Sequence, residues 1–129
     1  MNTEMNTELP YLTDLASWPV LLLLTAVGAA VGGLTRYCLG VTLPKYVGTL
    51  AANIVGSFAF GIAIGGLLDY SFGYLAMLGF AGATSTWSTL AGEIVTLARR
   101  SPPDGRAVAY LIVTVGTGVA AAWLGLHLR

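Results

Sequence analysis

The sequence predicts an all-α membrane protein of four transmembrane helices, with the third helix broken. Composition is the first reason: of 129 residues, 56% are hydrophobic and only 9% charged, and the mean hydropathy is +0.78. Soluble domains carry about 25% charged residues. The second reason is that the apolar residues fall into four runs, each supplying the roughly 20 residues that a hydrocarbon core of about 30 Å requires. The third is local. From Ala83 to Thr89 every residue except Trp87 is small or hydroxylic, although the stretch lies inside an apolar run. Non-helical backbone at membrane depth is tolerated only where protein buries it or a wet cavity faces it. The stretch therefore reads as a broken helix at a conduction or binding site, or as a small-residue face for close helix packing.

The same composition narrows the function classes. Net charge is zero, so nothing points to nucleic acid, and the single Cys38 excludes an intrachain disulfide or a cysteine metal cluster. Residues 1–17 contain Glu4, Glu8 and Asp14 but no Lys or Arg, unlike a signal peptide. The repeated Met-Asn-Thr-Glu marks them as a disordered or added tail. Residues 18–129 are expected to form a single four-helix transmembrane domain, too small to enclose a wide pathway alone, so an oligomer is expected. Catalysis has no candidate: His127 stands at a helix end with no partner evident in the sequence.

The first span runs from Trp18, an expected interfacial anchor, to Leu39. Gly28 and Gly32 form a Gly-x-x-x-Gly pattern that lets another helix approach closely. Arg36 near its end either snorkels to set helix depth or has a functional role. The second span covers Gly48 to Leu68, with Thr49 and Asn53 four apart on one face. The Asn53 amide must find a partner in hydrocarbon, either a neighbouring helix or an ion path. The third span runs from Phe72 to Ala98. Thr86, Thr89 and Glu93 are spaced i, i+3, i+7, one polar stripe if the part after the break is helical, with Trp87 and Leu90 on the neighbouring stripe. Glu93 is the one acidic residue inside a span, a functional candidate by default, or else a carboxyl bonded across a helix interface. The fourth span, Ala107 to Leu128, offers Thr114, Gly116, Thr117 and Gly118, chiefly a packing face. Pro102 and Pro103 block helix continuation in the connection before it.

Lys and Arg set the expected orientation. Arg36, Lys45, Arg99, Arg100 and Arg106 lie at the first and third connections, five of the six basic residues, and only Arg129 lies at the other side. Both termini are therefore expected outside a prokaryotic plasma membrane.

Three motifs together resemble a known family. Arg36-Tyr37 follows a glycine-rich first helix, and Gly48-Thr49-Leu50-x-x-Asn53 opens the second. The third contains Gly79-x-x-Gly82-x-x-Ser85-Thr86-Trp87-Ser88-Thr89-x-x-x-Glu93. In this order and spacing, over about residues 25–127, they resemble the Fluc or CrcB fluoride channels. The resemblance implies an antiparallel dimer of inverted subunits with two narrow, passive fluoride pores that confer fluoride resistance. It assigns the pore to Asn53, Thr86, Trp87, Ser88, Thr89, Leu90, Glu93 and Thr117, with Arg36 and Thr49 at the vestibule. It also implies a sodium ion at the dimer centre, held by the backbone carbonyls of Gly82 and Ser85 from both subunits. The chemistry is coherent: hydroxyls, an amide and aromatic ring edges can replace the water of a strongly hydrated small anion.

The chain departs from the family pattern at its centre. Trp87 and Leu90 stand where the family has two phenylalanines, Ala91 replaces a hydroxyl and Ala83 a glycine. Leu90 has neither a positive ring edge nor a donor. With the five-to-one charge bias, this favours one half of an antiparallel heterodimer over a homodimer that tolerates the substitutions. Two rivals remain open. A small multidrug exporter would place a proton-coupled glutamate in the first helix, which here has no carboxylate. A non-conducting membrane scaffold would need only the glycine faces, and leaves Asn53, Thr86, Thr89 and Glu93 unexplained.

Overall fold

The computed structural model describes residues 18–68, 72–100 and 102–128. The expected tail, the Trp18 side chain, the centre of the second connection and Arg129 lie outside the described residues. Five helices build the four spans: α1 (Trp18–Thr42), α2 (Val47–Ile64), α3 (Phe72–Thr84), α4 (Trp87–Ala98) and α5 (Arg106–Leu126). Three of them, α1, α2 and α5, are individually long and apolar enough to cross a membrane. The third span is made by α3 and α4 in succession, so the expected break is present, at Ser85–Thr86. This is a multi-pass membrane protein.

Two boundaries differ from the sequence expectation by three residues or more, and the other described ends agree within two. α1 continues three residues past Leu39, to Thr42, whose hydroxyl donates back to the Cys38 carbonyl at 2.6 Å. α2 stops at Ile64 rather than Leu68. Gly65 ends it by donating its N–H to the Gly61 carbonyl, and Gly66 turns the chain at φ 76, the left-handed step that glycine takes without a Cβ penalty.

Packing follows from the small residues. α1 and α3 run parallel along the Gly-x-x-x-Gly face: a Cβ on Gly28 would collide with the Ala76 carbonyl, and one on Gly32 with the Phe80 carbonyl. α2 crosses the middle of the bundle, contacting α1, α3 and α5, and α4 leans on α5. The buried core is correspondingly fine-grained, with Ala52, Ala59, Ala63, Ala81 and Ala121 beside Leu90 and Leu97. At the far end of α5, His127 finds a partner that the sequence does not announce. Its Nδ1 lies 2.8 Å from the Trp123 carbonyl and its ring 4.4 Å from the indole.

Candidate functional site

The site grows out of the break between α3 and α4. Each backbone N–H and C=O there must be satisfied inside the protein. Ser85 N–H still reaches the Ala81 carbonyl at 3.1 Å, completing the last turn of α3. Thr86 then swings to φ −144, ψ 120 and becomes the N-cap of α4, its hydroxyl oxygen accepting from Thr89 N–H at 3.3 Å. Its own N–H, which a continuous helix would give to the Gly82 carbonyl, donates instead to Asn53 Oδ1 at 2.7 Å. α2 comes close enough because it carries Gly56 opposite the break. A Cβ at that position would lie 2.8 Å from Ser85 N and 2.9 Å from Ser85 Cβ.

Two consequences follow from that hydrogen bond. A backbone N–H can only donate, so it fixes which end of the Asn53 amide is oxygen, and the NH₂ group is left with two protons to give. Asn53 lines a cavity of about 250 Å³ with Ser57, Thr86, Trp87, Leu90 and Thr114. Thr114 is 3% exposed, and its hydroxyl is buried without a hydrogen-bond partner among the described residues. An unmet buried hydroxyl costs about 1–3 kcal/mol. The second consequence is that the Gly82 carbonyl loses its helical donor to Asn53. The Ser85 carbonyl likewise loses Thr89 N–H to the Thr86 hydroxyl. Gly82 and Ser85 border a second cavity, of about 230 Å³, beside Gly56 and Phe60.

Further along α4 the polar stripe is realised. Thr86 Oγ1 donates to Thr89 Oγ1 at 3.1 Å. Glu93 accepts from the Thr49 hydroxyl at 2.9 Å and from the Tyr110 hydroxyl at 2.6 Å. The Tyr110 oxygen is also 3.1 Å from the Tyr46 carbonyl, so its one proton has two acceptors. Tyr46 starts α2 at φ 73, ψ −40, a region that costs a non-glycine residue about 1–3 kcal/mol. Edge-to-face packing on Tyr110, with ring centroids 5.5 Å apart, helps to hold it. Thr49, Thr89 and Glu93 line a cavity of about 280 Å³ with Lys45 and Tyr46. Thr49 and Thr89 also line one of about 210 Å³ that contains Arg36 and Thr86. The inner cavity shares Thr86 with the one beside Arg36, which in turn shares Thr49 and Thr89 with the one beside Lys45.

The sequence-derived residues are therefore not equivalent. Asn53, Thr86, Trp87 and Leu90 converge on the inner cavity, and Arg36, Thr49, Thr89 and Glu93 on the outer two. Trp87 is 72% exposed and Leu90 3%: one faces outward from the break and the other packs within the subunit. Ser88 is exposed and lines none of these four cavities. Thr117 turns its hydroxyl onto the Val113 carbonyl at 2.6 Å, and the α5 hydroxyl inside the cavity is that of Thr114, one turn earlier. Ser57, Tyr110 and Thr114 are the residues that sequence reasoning did not place in the site. A signal existed, because Thr49, Asn53 and Ser57 repeat every four residues on α2, and Tyr110 and Thr114 do so on α5.

The model of the CrcB-like protein, Camphor Resistance (CrcB) family matches residues 23–126, which takes in most or all of each span. Over 113 residues the chain is 38% identical to the fluoride-specific ion channel FluC 2 of Rhodococcus jostii (strain RHA1), covering 83% of this chain and 96% of that one. It is 34% identical over 119 residues to the fluoride-specific ion channel FluC of Phenylobacterium zucineum (strain HLK1), covering 83% and 93%. The fluoride-specific ion channel FluC of Methanopyrus kandleri (strain AV19) is 34% identical over 110 residues, with 78% and 82% covered.

Proposed function

The chain belongs to the CrcB-like family, and from that premise we propose that it is a subunit of a passive fluoride-selective channel. The observation that carries this reading is the Asn53 amide. Its oxygen is tied to the Thr86 backbone, and its NH₂ is left to a cavity that also contains the unpartnered Thr114 hydroxyl. Fluoride is small and holds its water tightly, so a pore must offer donors in place of that water. A donor held rigidly by its other end does so without reorganising when the ion arrives. Thr89, whose hydroxyl accepts from Thr86 and keeps its own proton to give, continues the supply of donors from the inner cavity, and fluoride leaves the cytoplasm down its electrochemical gradient.

The subunit works as half of an antiparallel dimer. Trp87, with 72% of its surface uncovered in the lone subunit, is the residue whose ring an inverted partner would cover. The indole keeps a positive ring edge and adds an N–H donor, whereas buried Leu90 offers neither. That deficit and the five-to-one bias of basic residues favour a related, oppositely biased subunit as the partner. The same bias places the termini outside a prokaryotic plasma membrane.

A sodium ion at the dimer centre suits the break. The Gly82 and Ser85 carbonyls are the ones whose helical N–H partners are taken by Asn53 and Thr86, and hard cations prefer such oxygens. Bound there, the ion would add a fixed positive field for a passing anion.

The test is fluoride efflux from proteoliposomes, followed with a fluoride electrode and with potassium ionophore to clamp voltage. Rapid efflux that excludes chloride is expected from the chain co-reconstituted with an oppositely biased relative, and slow efflux from the chain alone. Full flux from the chain alone would replace the heterodimer with a homodimer. Absence of fluoride flux from folded protein in either assembly would sink the channel reading.

A further inference from the structure

The corner between α1 and α2 contains a cation that neither fold nor helix capping requires. Tyr46 is held at positive φ with its carbonyl accepting from Leu50 N–H at 3.0 Å and facing the Tyr110 hydroxyl at 3.1 Å. That backbone turn brings Lys45 Nζ to 5.3 Å from the Tyr46 ring centroid, within cation–π range. The same lysine lines the 280 Å³ cavity that contains Glu93, Thr49 and Thr89. Yet it forms no salt bridge with Glu93: the ion pair recorded among the described residues is Arg106 with Asp104. Both Glu93 oxygens are occupied by the Thr49 and Tyr110 hydroxyls instead.

Charge counting at this mouth gives the consequence. Lys45 and, in the adjoining cavity, Arg36 are two cations around a single carboxylate, Glu93. Even with Glu93 counted as an anion the mouth is net positive, and without Lys45 it is neutral. A positive, partly walled mouth raises the local concentration of anions and their rate of entry. We propose that Lys45 is the entry site for small monovalent anions at this end of the pathway, with Tyr46 as the positioning residue that aims it. The site deepens the channel reading and rests on it: it delivers the ion to the Thr89 hydroxyl, which lines the same cavity and keeps its proton to give. A lysine at a membrane edge has a competing use, laying its stem on apolar surface and its ammonium against lipid phosphate, and the experiment separates the two.

Fluoride efflux is measured over a range of fluoride concentrations in phosphatidylcholine vesicles, in whichever assembly carries flux. Ionic strength is set by an impermeant salt to about 20 mM or about 200 mM, on either side of effective screening. At low ionic strength Lys45→Gln should raise the half-saturating fluoride concentration about threefold and leave maximal flux unchanged, an effect expected of steering and lost at high salt. Lys45→Arg should match the unsubstituted protein, and Tyr46→Leu should shift in the same direction by less. An unchanged half-saturating concentration in Lys45→Gln at low salt would overturn the proposal, as would a lower maximum at both salts. So would a shift that appears only when phosphatidylglycerol is added, which would make Lys45 a lipid contact. Flux absent even from the unsubstituted protein would overturn the channel reading itself and the entry site with it.

Discussion

The two halves of this bundle solve one problem in opposite ways. Along α1 and α3, backbone meets backbone through Gly28, Gly32 and Gly79, and the Thr25 hydroxyl turns onto the Leu21 carbonyl of its own helix at 2.9 Å. Thr84 is fully buried and turns its hydroxyl onto the Phe80 carbonyl at 2.7 Å. Along α2, α4 and α5, side-chain amide, hydroxyls and carboxylate fill the space, and some of their capacity is left unspent at Asn53 and Thr114. The first seam is closed and satisfied; the second is satisfied only in part. In lipid, where unpaired polar groups are costly, the dry seam supplies the stability that lets the wet seam stay incomplete.

The comparison breaks most completely at Gly32. A Gly32→Leu change has to displace the Phe80 carbonyl and the Thr84 side chain, which lies 2.9 Å from where a Cβ would stand. Backbone cannot yield as a side chain can, so the cost should exceed the usual overpacking penalty of about 1–3 kcal/mol. Loss of the folded, monodisperse protein on size exclusion in detergent is the expected result. An intact, conducting protein would mean that the α1–α3 seam does not carry the fold.

On the wet seam, Asn53→Asp separates the two ends of one side chain. The carboxylate can still accept from Thr86 N–H, so the break and the assembly should persist. The NH₂ donor is replaced by an oxygen that repels anions, and fluoride flux should fall on the order of 100-fold, as when a preorganised donor is removed elsewhere. If flux survives in protein of normal assembly, the amide serves the break alone.

How far the sequence anticipates this division depends on the residue. The glycine spacing on α1, the break at Ser85–Thr86 and the Thr86–Thr89–Glu93 stripe are legible because each is a local pattern with one physical meaning. Which atom of Asn53 is spent, and on whom, depends on the Thr86 N–H approaching from another helix, and no spacing within α2 encodes that. Thr114 and Thr117 lie three apart in an apolar run, and composition cannot say which hydroxyl is turned inward. Tyr110 is masked by the frequency of tyrosine at membrane edges, although its hydroxyl is 2.6 Å from Glu93.

Thr114→Val sharpens the contrast, because it should improve one property while damaging the other. The shape is nearly kept and an unpartnered buried hydroxyl is removed, so stability should rise by about 1 kcal/mol. Flux should fall about tenfold, the worth of about 1.4 kcal/mol of lost ion stabilisation. Thermal unfolding in detergent and efflux measured on the same preparation test the two halves together. A loss of stability would mean that the hydroxyl has a partner in the assembled protein.

Tyr110→Phe is the mildest probe and bears on the outer end of the wet seam. The ring keeps its edge-to-face contact with Tyr46, 5.5 Å between centroids, while the hydroxyl shared by Glu93 and the Tyr46 carbonyl disappears. Interhelical hydrogen bonds in membranes contribute about 0.6–1.7 kcal/mol, so destabilisation of about 1 kcal/mol is expected. Glu93 retains Thr49 as a donor at 2.9 Å, which should limit the change in flux to about twofold to threefold, less than about 0.7 kcal/mol. A loss as deep as that of Asn53→Asp would shift the controlling step outward. The carboxylate held by Thr49 and Tyr110, rather than the amide at the break, would then be the narrow point of the path.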